Sequence, residues 1–315
     1  MRTARVAALT LLGATVLVAS PATASADEAS PTTAVKQAAT SAADQAAVEN
    51  YWTPDRMENA TPMDTIQVDT DQVSSDVPSG EQRSIDPTAN PEIGAPWEGG
   101  GDVVDTSGRV FFTMDGQDAS CSGNAVTSDN GSTVMTAGHC VKYQGTWHEN
   151  WVFVPAYDNG DAPYGEWTAA ETLTTPQWEA DEDMNFDVGA AVVNELDGEK
   201  LTDVVGGQGL SFNGEYNQDM YSFGFPAADP YDGETLTYCS GTSTKDFLLT
   251  DDHGLSCNMT GGSSGGPWFV DFDESTGTGL QASVNSFGYT FLPDTMFGPY
   301  FGDDAEALYN TAQSS

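Results

Sequence analysis

Only three histidines occur in the 315-residue chain, His139, His148 and His253, so any imidazole-dependent reaction must use one of them. His148-Glu149 opens like the zinc-peptidase signature H-E-x-x-H, but the fifth position is Val152, and that chemistry is rejected. Flanked by Trp147, Glu149 and Trp151, His148 reads as an ordinary exposed residue, and His253, after Asp251-Asp252, reads as a turn residue. His139 stands in Thr136-Ala137-Gly138-His139-Cys140, directly after an apolar run through Val134. A strand end that delivers an imidazole beside a loop-anchoring cysteine holds it in a fixed position, as a general base requires.

A second candidate is Thr260-Gly261-Gly262-Ser263-Ser264-Gly265-Gly266-Pro267, two serines in a glycine-dense loop between strands. Glycines permit positive φ and let N–H groups converge on one point, which is what an oxyanion hole needs. The loop fits the G-x-S-x-G pattern of α/β-hydrolases, but that arrangement places its histidine after the nucleophile, and no histidine follows residue 253. His139 upstream of Ser264 fits instead the order His, Asp, Ser.

With TAGHC at Thr136–Cys140 and the motif G-D-S-G-G-P present as Gly262-Ser263-Ser264-Gly265-Gly266-Pro267, the sequence resembles the chymotrypsin-like (trypsin-like) serine peptidases, in their secreted bacterial branch related to glutamyl endopeptidases. The likeness runs from about Arg109 to Tyr300. It implies two antiparallel β-barrels, a polypeptide substrate and a reaction that needs no metal or organic cofactor. It implies Ser264 as nucleophile, because Gly-Gly-Pro follows it, and His139 as general base. Asp187, in Asn185-Phe186-Asp187-Val188-Gly189-Ala190, takes the place of the acid, with Asp183 next in line; Asp181, Glu182 and Asp183 read as a solvated turn. The resemblance gives Gly262 and Ser264 N–H groups to the oxyanion hole and Ser286-Phe287-Gly288 to pairing with the substrate backbone, Phe287 standing where a Trp is common. It puts Asn258, six residues before the nucleophile, at the base of the primary pocket. Asn285 stands where glutamate-specific relatives carry a histidine, so neither strict Arg/Lys nor strict Glu cleavage is expected. Ser263 replaces the Asp that in many relatives pairs with a freed N-terminal amine, so that ion-pair switch is unavailable and added residues on a mature N-terminus should be tolerated.

These residues must be positioned by β-structure. From about residue 102 short apolar and β-branched runs alternate with Gly, Asn and Asp turns: Arg109 to Thr113, Ala125 to Thr127 before Val134 to Ala137, Trp151 to Pro155, Val188 to Val193, Leu236 to Tyr238, Trp268 to Val270 and Leu280 to Phe287. That grammar predicts an all-β protein, with one short C-terminal helix over Asp303 to Asn310. Cys121, Cys140, Cys239 and Cys257 form an even set in an exported chain and point to two disulfides. Three pairings are open; the sequential one, 121 with 140 and 239 with 257, closes two short loops worth about 3 kcal/mol each. No C-x-x-C pair exists, so a zinc site is set aside.

Three regions follow. Residues 1–26 read as a signal peptide: Arg2 and Arg5, an apolar stretch from Val6 to Ala19, then Ala24-Ser25-Ala26. Residues 27–95 read as a propeptide or linker region, with a helical stretch near Val35 to Tyr51 and a second short helix starting at Thr53-Pro54. Such a segment is expected to inhibit by covering the cleft or to assist folding. The Pro/Gly-rich stretch Pro87 to Gly101 reads as the processing zone, and residues 96–315 as the peptidase domain.

Charge narrows the partners. Nine Lys+Arg against 48 Asp+Glu give a formal net charge of −39, which argues against nucleic acid and anionic membrane surfaces. No apolar run reaches the roughly 18 residues of a membrane span. A secreted, extracellular monomer is expected. Competing readings are a catalytically silent relative that binds a peptide or partner, and a secreted esterase. From residue 101 onward four bases stand against 34 acids, so like charges repel, and salt screens them over a Debye length of about 10 Å at 0.1 M and about 3 Å at 1 M. The melting temperature is expected to hold or rise toward 1 M NaCl; a steady fall would contradict this.

Overall fold

The computed structural model describes residues 33–63, 66–67, 77, 79–80, 83–85, 101–292 and 294–315. The expected signal peptide and nearly all of the Pro/Gly-rich stretch lie outside the described residues. From Thr32 onward the chain forms one compact unit.

Six antiparallel strands close a first barrel. Ser107–Met114 pairs with Gln117–Ala125, then come Thr133–Thr136, Gly189–Val193, Trp167–Thr174 and Glu149–Pro155, which returns to the first. Successive side chains on a strand point to opposite faces. Accordingly Val110, Phe112 and Phe153 enter the barrel core with Cys121, Val134 and Leu173. Phe111, Val152 and Val154 face outward, yet they are buried too, beneath Ala39, Val48, Trp52, Met57 and Ala60. The runs Arg109 to Thr113 and Trp151 to Pro155 lack polar alternation because both faces of these strands are covered.

That cover is the leading segment. Ser41 caps the helix Ala42–Tyr51 by accepting from Asp44 N, and Thr53 caps Pro54–Glu58, with Pro54 at the first helical position as its sequence predicts. The expectation of helix from Val35 is corrected at its start. Ala34–Gln37 is a strand, antiparallel to Trp167–Thr174. An unpaired strand edge offers backbone hydrogen bonds that outweigh the weak local preference of this stretch.

The second half consists of a six-stranded sheet, in the order Thr237–Thr242, Asp219–Gly224, Pro267–Asp273, Thr278–Val284, Gly209–Phe212 and Arg83–Ile85. A five-stranded sheet runs Thr244–Lys245, His253–Ser256, Thr295–Gly298, Phe287–Gly288 and Ile66–Gln67. The architecture is the expected two-barrel, mostly antiparallel class. Three strand pairings are parallel: Gly209–Phe212 with Thr278–Val284, Thr61–Pro62 with Gln117–Ala125, and Ile66–Gln67 with Phe287–Gly288. The disulfides are Cys121–Cys140 and Cys239–Cys257, the sequential pairing. The C-terminal helix extends further than expected, over Asp303–Gln313, and places Leu308, Tyr309 and Ala312 in the first barrel's core cluster.

His253 is not a turn residue. It opens the strand His253–Ser256, 3% exposed, with the rings of Tyr216 and Tyr300 at 5.0 and 5.7 Å. His148 is likewise buried, stacked on the core residue Phe112 at 4.2 Å.

Candidate active site

The strand Thr133–Thr136 runs into the single turn Gly138–Cys140, and Cys121–Cys140 ties that turn to the neighbouring strand. His139 is thereby fixed at both ends. The glycine before it is required by close approach: a Cβ on Gly138 would lie 2.8 Å from the Trp178 ring and 2.9 Å from Asp187 Oδ1.

Asp187 follows the turn Met184–Phe186 and precedes the strand Gly189–Val193, which pairs with Thr133–Thr136. This pairing brings the two candidate residues together. His139 Nδ1 is 2.7 Å from Asp187 Oδ2, and His139 N donates to Oδ1 at 2.7 Å. Ser286 Oγ donates to Oδ2 at 2.5 Å. A carboxylate accepts only, so Nδ1 carries the proton and Nε2 keeps its lone pair. Among the described residues Nε2 has no hydrogen-bond partner.

Asp183, the other candidate acid, is not part of a solvated turn. It is 1% exposed, and its Oδ1 accepts from Asn185 N, capping the turn before Asp187. A short turn whose N–H groups need an acceptor draws the side chain inward.

The serine loop packs straight onto the histidine strand. A Cβ on Gly265, whose φ is +80°, would lie 2.1 Å from Thr136 Oγ1 and 2.9 Å from Ala137 N. Ser122 N donates to Ser264 O at 2.7 Å, and Ser122 Oγ donates to Gly262 O at 2.9 Å. Ser263 turns inward instead, its Oγ donating to Thr260 O at 2.8 Å.

Asn285, which the sequence placed at a specificity position, lies behind the serine loop. It is fully buried; its Nδ2 donates to Phe223 O at 2.8 Å and Ser263 O at 3.0 Å, while its Oδ1 accepts from Ser222 Oγ and Trp268 Nε1. Its backbone exchanges two further bonds with Gly265 and Gly266. All of its amide is used behind the serine loop, so it faces the core rather than a specificity pocket. Phe287 is buried and stacks on Phe297 at 5.1 Å, with Gly288 next to it half-buried at the strand's end. Asn258, the expected pocket base, is exposed, its Oδ1 accepting from Tyr231 Oη at 2.7 Å.

His148, which sequence reasoning missed, supports His139 from below. Its Nε2 lies 2.9 Å from His139 O, which can only accept, so Nε2 donates. Burial depresses both other histidines, His148 and His253, to about 4 from 6.5. A base depressed in the folded state adds stability that is present above pH 6.5 and lost as pH falls toward 4, about 3 kcal/mol per histidine. Asp252 acts in the opposite sense. Wholly buried and, among the described residues, with neither carboxyl oxygen hydrogen-bonded, it is held well above 3.8 by burial first and by Asp246 next, so its contribution is present in acid and lost as pH rises. His253→Phe, which removes one depressed histidine, is expected to shrink the drop in urea midpoint between pH 7 and pH 4.5. An unchanged drop would contradict the assignment.

No protein-family model matches the chain, and no curated protein matches it. Among solved structures, the protease Anisep from Arthrobacter nicotinovorans is similar over 73% of this chain and 99% of its own, with 45% identity and a TM-score of 0.64. The thermostable serine protease AL20 from an extremophilic microorganism is similar over 68% of this chain and 99% of its own, with 42% identity and a TM-score of 0.64. A Glu endopeptidase shares the fold at 14% identity, covering 77% of this chain and 99% of its own, with a TM-score of 0.54. Identity above two-fifths across nearly the whole of two proteases carries more than the fold: the chain belongs to the chymotrypsin-like serine proteases.

Proposed function

We propose that the protein is a secreted serine endopeptidase that hydrolyses peptide bonds through an acyl-enzyme, and that residues 27–95 are its propeptide. The observation that supports this most is the buried Asp187–His139 pair, with Nδ1 committed to the carboxylate and Nε2 left able to accept a proton. Ser264 attacks the peptide carbonyl and His139 Nε2 takes its proton. Gly262 and Ser264 N–H groups stabilise the oxyanion, and the imidazolium gives its proton to the leaving amine. Water then repeats the sequence on the ester, releasing the acid and restoring Ser264. Asp187 keeps its charge throughout and stabilises the imidazolium.

Two disulfides fit an oxidising, extracellular setting. Among the described residues no helix is long and apolar enough to cross a membrane. The start of the peptidase domain also fits a mature end that needs no ion-pair switch: Asp102 N and Val103 N dock on Thr276 O and Gly277 O. The testing experiment is turnover of an unfolded polypeptide by the processed protein, set against the Ser264→Ala chain; binding without turnover would favour a silent relative.

A further inference from the structure

Ser264 is 3% exposed and His139 0%, although a working site must admit a polypeptide. The chain's own leading segment reaches the serine loop beside them. Gly262 N, assigned above to the oxyanion hole, donates to Met63 O at 2.9 Å. Met63 N donates to Ser120 O at 3.0 Å, and Thr61–Pro62 pairs with Ala119 and Ser120, beside Cys121. On the other side Ile66–Gln67 pairs with Phe287–Gly288, the strand expected to hold substrate.

Direction is the telling feature, and its meaning rests on the proteolytic reading above. On that reading the residues before a scissile carbonyl lie along Ser286–Gly288, and the leaving nitrogen, with the residues after it, must lie on the side of His139 and Cys140, where Nε2 can give it a proton. Here the residues before Met63 lie at Ser120 and those after it lie on Phe287–Gly288, and both pairings are parallel. We propose that the segment 33–63, continued by Ile66–Gln67, is an inhibitory strap that runs through the cleft backwards, with a carbonyl in the oxyanion hole, and is for that reason not cut there by its own enzyme.

The chemistry of reversal explains the resistance. Turning a peptide around exchanges the Cα and the amide nitrogen on either side of the carbonyl. Were Ser264 to attack Met63, the nitrogen that must leave would lie on the Phe287 side, out of reach of the proton on His139 Nε2. The adduct would then expel Ser264 Oγ, which takes the proton back, and the peptide bond would survive. The strap's hold lies mainly outside the cleft. Trp52 is 3% exposed, packs on Phe111 and donates from Nε1 to Asn150 O at 2.7 Å. Arg56 pairs with Asp118 at 2.9 Å and covers the Tyr51 ring at 4.1 Å. Inhibition therefore does not require a residue that suits the primary pocket.

The test measures the rate at which a fluorophosphonate labels the intact chain, and the same chain after an added protease has removed the leading segment. The intact chain is expected to label at least roughly tenfold more slowly. Trp52→Ala in the intact chain should raise the rate by about tenfold or more, since a large buried anchor is lost. Arg56→Ala, which removes only a partly exposed pair and leaves the barrel untouched, should raise it about two- to fivefold. Mass analysis of the released strap, incubated with the processed enzyme, should show the bond after Met63 intact. Equal rates for intact and processed chains, or a cut after Met63, would overturn the proposal while leaving the protease reading standing. Labelling of neither form would overturn the protease reading on which it rests.

Discussion

Ser264→Ala is expected to lower the rate of peptide hydrolysis on the order of 10⁶-fold, the scale on which losing a serine nucleophile disables a triad. Ser263→Ala should keep the rate within about threefold and cost about 1 kcal/mol of stability, one buried hydrogen bond. The two serines are adjacent, each is buried, and each sits at the centre of a G-x-S-x-G pattern. Their surroundings separate them. Ser263 Oγ donates to Thr260 O, and its carbonyl accepts from Asn285 Nδ2, so it closes the loop on itself. Ser264 is the residue next to Gly265, which packs on the strand leading to His139. Steady-state rates on an unfolded polypeptide decide the matter, and loss of activity in Ser263→Ala alone would reverse the register.

Asp187→Asn is expected to lower kcat by about 10⁴-fold with little change in KM and in melting temperature. Asp187 accepts from His139 N, from the His139 ring and from Ser286 Oγ. An amide keeps one accepting oxygen and turns an NH₂ toward the ring. The imidazole then favours the tautomer protonated on Nε2, which cannot take the proton of Ser264. Asp183→Asn supplies the control. It weakens the cap on the turn before Asp187 and should cost stability rather than the chemical step. A comparable fall in kcat for Asp183→Asn, with Asp187→Asn unaffected, would move the acid to Asp183.

The candidate residues could be picked out before any coordinates because their motifs are short and local. A pentapeptide holds His139, a glycine-rich loop holds Ser264, and an Asp that opens an apolar strand is Asp187. The glycine in the first motif has a reason the sequence cannot state, the contact with Trp178 and Asp187 Oδ1. What escaped depends on what covers what. His148 and His253 have acidic neighbours in sequence, yet the rings packed on each, Phe112 on His148 and Tyr216 and Tyr300 on His253, come from elsewhere in the chain and leave both buried. Asn285 looks like a pocket position by its spacing, and only the convergence of Phe223, Ser222, Trp268 and Ser263 on its amide shows that it faces the core.

Strands without an apolar run were hidden for a similar reason. Trp167–Thr174 reads as Thr, Ala and Glu, and it is a strand because its backbone is shared among three neighbours, Ala34–Gln37, Glu149–Pro155 and Gly189–Val193. The leading segment is the larger lesson. Its composition marks it as different from the rest, but the length of outward-facing apolar sequence at Phe111, Val152 and Val154 is the signal that something must lie over the barrel.

The most direct test of the central claim is the intact mass of the processed protein before and after a fluorophosphonate, followed by mapping of the modified peptide. One adduct is expected, on Ser264, and none on the His139→Ala chain within the same exposure. No adduct at all, or an adduct on Ser263 or elsewhere, would contradict the assignment of Ser264 as the nucleophile.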